Sequence, residues 1–216
     1  MSEGAFGPTI GKRLLRAPSP LLLVSLLALA VGLGGTIAVG QLLRHPAVAV
    51  AHAQYLPPVG QQPVAAGDFT LPDQTGASVS MSGLRGQEVL ITFMDPQCTA
   101  MCPIMGSEIG AIESSLPAAV RPVLLVVSVA PDRSAADVTA FTSHVTWQPG
   151  WHWLLGNQAQ LQAVWATYHI AVQPTATDVA HDATLYVVDP RGMITASYSA
   201  PLPITDVAST IAHSSR

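Results

Sequence analysis

The chain has 216 residues, 49% of them hydrophobic and only 10% charged, with a formal net charge of −4. That length suits one ordinary domain plus an accessory segment. From residue 45 onward five basic residues face twelve acidic ones, a net charge of −7, and such a surface repels phosphate backbones, which argues against nucleic acid as a partner.

Lys12, Arg13 and Arg16 closely precede "LLLVSLLALAVGLGGTIAVGQLL" over residues 21–43, with no charge between Arg16 and Arg44. A helix rising about 1.5 Å per residue over that length crosses a hydrocarbon core of about 30 Å. The basic flank predicts a cytoplasmic tail over 1–18, a transmembrane anchor over 19–43, a linker over 44–66 and an exported domain over 67–216. The expected location is therefore the cell membrane, single-pass, with the C-terminal domain extracytoplasmic. A cleaved signal peptide is the competing reading, with "AHA" at 51–53 as its cleavage site, but the apolar run exceeds the roughly 7 to 15 residues of a signal core. The segment "HPAVAVAHAQYLPPVGQQPVAA" over 45–66 lacks helical or strand periodicity and reads as a spacer.

From residue 67, "GDFTLPDQTGASVSMSGLRGQ" reads as a β-hairpin around Asp73-Gln74-Thr75-Gly76. "EVLITFM" (88–94) is a buried strand, and "IMGSEIGAIESSL" (104–116) a helix starting at Pro103, where the missing N–H costs nothing. "PVLLVVSVA" (122–130) is apolar on both faces, as central parallel strands are. A helix over 134–145 takes Ser134 as N-cap, "WHWLLG" (151–156) is a short strand, and a helix over 157–169 is capped by Asn157. "ATLYVVDPRGMITASYS" (183–199) is an antiparallel hairpin around Asp-Pro-Arg-Gly, and "ITDVASTIAHS" (204–214) a closing helix. The predicted fold is an α/β sandwich with a mixed β-sheet, an N-terminal hairpin and a preceding transmembrane helix. Its element order resembles the thioredoxin fold.

The only two cysteines, Cys98 and Cys102, stand in "FMDPQCTAMCPIM" between the first core strand and its helix. Spacing alone leaves three readings open: a structural disulfide, a redox pair, or a soft-metal clamp. Placement at a helix N-terminus favours thiolate and so a reactive pair.

These pieces together, "DFTLPDQTG", "CTAMCP", "VSVAPDRSAADVTAF", "LLGNQAQLQAVWATYHI" and "AHDATLYVVDPRG", resemble the Sco/SenC family of membrane-anchored, thioredoxin-fold copper proteins over roughly residues 67–214. The resemblance implies one copper, Cu(I) and in some states Cu(II), held by Cys98, Cys102 and His181. It implies assembly of the binuclear copper centre in subunit II of cytochrome c oxidase, with an upstream copper donor and a thioredoxin-like reductant as further partners. The chain departs from the family in Thr99-Ala100-Met101 between the cysteines, in Ala130 where an Asp is common, and in Ala180 and Asp182 around His181. Those departures bear on the groups around the ligands.

The alternative function is an extracytoplasmic thiol–disulfide reductase, with Cys98 attacking and Cys102 resolving, which needs no His181. A thiol peroxidase lacks its threonine in "DPQC", and a redox sensor is not separable from the first two on sequence. Met101, Met105, Asp95 and Asp182 lie near the expected ligands but read as loop or packing residues. Trp151 and Trp153 alternate as strand core residues. His45, His52, His144, His152, His169 and His213 read as surface or packing residues.

Overall fold

The computed structural model describes residues 62–176 and 178–214. The expected cytoplasmic tail, transmembrane anchor and most of the linker lie outside these residues. Among the described residues no helix is long and apolar enough to cross a membrane.

The core is a six-stranded mixed sheet. Its centre is β4 (Val89–Met94), in which all six residues are buried. Parallel to it lie β5 (Val123–Ser128) and then β6 (Trp151–Leu154). On the other side β9 (Thr184–Val188), β10 (Met193–Ser199) and the short β1 (Val64–Ala65) follow in that order, each antiparallel to the strand before it. The two-residue β1 falls inside the stretch read as linker, so part of that stretch supplies an edge strand to the sheet.

Alternation along the central strands divides the core in two. Ile91, Phe93, Leu125 and Val127 face one side, where α3 (Gln158–Thr167) and the hairpin of β2 (Thr70–Pro72) and β3 (Ser78–Ser80) pack. Leu90, Met94, Leu124 and Val126 face the other, under α1 (Met101–Ser115), α2 (Ala135–Thr142) and α4 (Ile204–Ser214). Period-two side chains on a sheet covered on both faces give a three-layer sandwich. Ser134 and Asn157 both form capping boxes, with Asp137 and Gln160 reaching back to the cap amides. Trp153 is fully buried, in line with a core role.

Two features depart from the sequence reading. α1 starts at Met101 rather than Pro103, so Cys102 lies inside the first helical turn. A second small hairpin, β7 (Val172–Pro174) with β8 (Val179–His181), precedes β9 and pairs Val172 with His181.

Candidate metal centre

Chain order brings the cysteines to the carboxyl end of the parallel strands, where open α/β sheets place their ligands. β4 ends at Met94 and Asp95 turns the chain. The Cys98 N–H donates to the Asp95 carbonyl at 3.0 Å, and the Asp95 N–H donates to Cys102 Sγ. One residue thereby fixes both cysteines.

Both thiols are free. Cys102 is 2% exposed, whereas Cys98 is half-buried. The Cys102 thiol donates to Cys98 Sγ, and the amides of Cys102 and Ala100 point at the same sulfur, holding Cys98 down to about 5 against the opposing cost of burial. Cys102 is pushed up by donating to Cys98 and by burial. Cys98 is the thiolate and Cys102 the protonated partner.

The β7–β8 hairpin carries His181 to this pair. Its Nε2 lies 3.7 Å from Cys102 Sγ, and its Nδ1 lies 3.1 Å from the Asp182 carbonyl. With the ring proton on Nδ1 donating to that carbonyl, Nε2 keeps its lone pair facing the sulfur. The Cys102 proton therefore has two acceptors within reach, Cys98 Sγ and His181 Nε2. Asp182 braces the hairpin: its Oδ2 accepts the Ala171 N–H at 2.9 Å while its own N–H donates to the Ala171 carbonyl at 3.2 Å. Among the described residues, no three His, Cys, Asp or Glu side chains stand close enough together to hold a metal as they are. The pairwise contacts share Cys102 as their common member.

Asp95 is engaged elsewhere. Its two carboxylate oxygens take Arg133 Nε and Nη2, each at 2.7 Å, and Oδ1 also accepts the Gln97 N–H at 2.9 Å. Gln97 in turn donates to Asp137 Oδ1 at 2.9 Å, tying the cysteine loop to the start of α2. Sequence reading passed over Arg133, Gln97 and Asp137. A signal existed for Arg133: a buried acid at a strand end needs a cation, and the domain has few.

The neighbouring methionines divide. Met105 is 1% exposed and packs in the core, with the Thr92 hydroxyl donating to its sulfur at 3.8 Å. Met101, the first residue of α1, is 42% exposed.

A family model described as SCO1/SenC matches residues 58–216. The chain belongs to the SCO1/SenC family. ScoI of Bradyrhizobium japonicum, solved with copper bound, is similar to this chain at 25% identity and a TM-score of 0.60, covering 69% of this chain and 99% of its own. Yeast Sco1 with copper bound gives 20% identity and a TM-score of 0.61, covering 70% of this chain and 88% of its own. BsSco, a member of the Sco family of cytochrome c oxidase assembly proteins in which a disulfide switch was identified, gives 22% and 0.63, covering 73% and 98%. Comparison with curated proteins gives no match.

Proposed function

We propose that this SCO1/SenC-family chain is a copper chaperone for the binuclear copper centre of cytochrome c oxidase, carrying one copper ion on Cys98 Sγ, Cys102 Sγ and His181 Nε2. The observation that carries this reading is the 3.7 Å contact between Cys102 Sγ and His181 Nε2. Metal–sulfur and metal–nitrogen bonds of roughly 2.3 and 2.0 Å, set at a trigonal angle, separate the two donors by about 3.7 Å. Two sulfurs and one imidazole form a donor set suited to Cu(I). The His181 lone pair already faces the Cys102 sulfur, and Cys98 joins the set as the third donor when copper binds.

Cu(I) binding displaces the Cys102 proton from between its two acceptors, so the cargo takes the place the proton holds in the free protein. Transfer to subunit II of the oxidase then proceeds by stepwise exchange of ligands, with copper arriving from an upstream donor and a thioredoxin-like reductant keeping the cysteines open. The exported domain would be held at the membrane by the 19–43 segment.

A second reading, thiol–disulfide reduction of the acceptor's cysteines, is favoured by one specific feature, the depressed Cys98 thiol beside its buried partner. The two are separated by titrating the reduced full-length protein with Cu(I). The chaperone binds one copper per chain, and His181→Ala weakens it at least about tenfold. Equal binding by wild type and variant would remove His181 from the site and leave the reductase.

A further inference from the structure

Beside the cysteine loop lies a cleft of ≈ 360 Å³, walled by Cys98, Thr99 and Pro103 on one side and by Phe141, His144 and Val145 on the other. Cys98 is the half-buried member of the pair and Cys102 is 2% exposed. Cys98 is the member of the pair that lines this cleft, so an ion reaching or leaving the pair from this side passes through it. Among the side chains that line it, Cys98 and His144 are the two with donors suited to Cu(I).

His144 is held there by construction. The segment after α2 runs along α1 on a stripe of small residues: Val145 reaches the place a Cβ on Gly106 would need, and the Thr146 carbonyl does the same at Gly110. The Trp147 indole N–H donates to the Gly106 carbonyl at 2.7 Å, and the Gln148 N–H donates to Glu113 Oε2 at 2.9 Å. These contacts fix Val145 and the three residues after it, and on the other side the His144 N–H donates to the Phe141 carbonyl at 3.0 Å. His152, the next histidine along the chain, is committed elsewhere: its Nδ1 pairs with Asp73 Oδ2 at 2.8 Å. No hydrogen bond to the His144 ring is found among the described residues, and the residue is exposed.

We propose that His144 is a transit ligand, the imidazole that with Cys98 receives copper before it settles on Cys102 and His181 and holds it last as it departs. The inference rests on the copper-chaperone reading above. Copper remains Cu(I) throughout, and no electron moves. A bond to His144 forms as the bond to His181 breaks. The acceptor's thiol loses its proton on binding copper, and Cys102 takes one up on release, so the exchange is proton-neutral.

The test uses the full-length, reduced, Cu(I)-loaded protein with bicinchoninate as a coloured acceptor, followed by stopped flow. His144→Ala keeps one copper per chain and near-wild-type affinity but slows transfer about tenfold, and His144→Met, which restores a soft donor, recovers most of the rate. An independent readout needs no transfer: the His144 ring resonances shift on addition of substoichiometric Ag(I), a diamagnetic stand-in for Cu(I). If His144→Ala transfers as fast as wild type, or His144→Met is as slow as Ala, the transit role is wrong while the chaperone reading stands. If wild type binds no Cu(I), both fall together.

Discussion

Arg133 grips Asp95 with two parallel hydrogen bonds, Nε to Oδ1 and Nη2 to Oδ2, each 2.7 Å long. Asp95 is 1% exposed, and its backbone holds the Cys98 amide and the Cys102 sulfur. The ion pair thereby ties the β5–α2 loop to the geometry of both thiols. Removing one partner of a buried pair strands the other charge, at a cost of about 3 kcal/mol. Arg133→Gln should lower stability by that order in urea denaturation and weaken Cu(I) binding, whereas the double variant Asp95→Asn/Arg133→Gln recovers much of the stability. A single variant as stable as wild type would show that the pair is not structural.

The cysteines should react unequally. Cys98, held down to about 5 by the Cys102 thiol and two amides, gains its nucleophilic thiolate as pH rises through that value, well below the ordinary thiol range. Alkylation by iodoacetamide should therefore be selective for Cys98 and already fast at pH 6. In Cys102→Ala the largest stabilising donor is lost, and the midpoint should climb by at least about one unit. An unchanged midpoint would mean that the helix N-terminus alone sets Cys98.

At the opposite end of the sheet, burial raises the Glu88 carboxyl to about 7, only partly offset by the Ser214 hydroxyl that donates to it and reinforced by Asp189. A carboxyl raised on folding contributes fully below its unfolded value near 4.5, and that contribution is lost as pH rises through about 7. Glu88→Gln should match wild type at pH 4 and exceed it by ~2 kcal/mol at pH 8. Chemical denaturation at the two pH values decides it, and a gap independent of pH would rule out titration of Glu88 as the cause.

Gly110 faces the Thr146 backbone carbonyl so closely that a Cβ has no room. Alanine is the better helix former by about 1 kcal/mol, yet Gly110→Ala should destabilise the fold by about 2 kcal/mol, because a backbone atom cannot swing aside as a side chain can. Thermal melts of the single variant test this, and a raised Tm would contradict the close packing.

Much of this architecture is legible in the sequence, because it rests on local chemistry. Ser134 and Asn157 are caps with their partner three residues on, and the apolar runs of β4 and β5 are buried on both faces as their composition requires. What sequence reading misses depends on contacts distant along the chain. The β7–β8 hairpin has only three residues a side and includes Pro174, too short for a strand pattern. The Arg133–Asp95 pair joins loops 38 residues apart. Nothing in the local sequence selects His181 among seven histidines; family resemblance points to it, and the fold sets its Nε2 beside Cys102. His144 gains meaning only once α2 and the cysteine loop share a cleft.

The measurement that bears most directly on the site is X-ray absorption spectroscopy of the Cu(I)-loaded full-length protein beside His181→Ala. Copper held by Cys98, Cys102 and His181 gives two sulfur scatterers and one imidazole per metal, and the imidazole contribution disappears in the variant. A spectrum with sulfur ligands alone, or one that His181→Ala leaves unchanged, would contradict the three-ligand site.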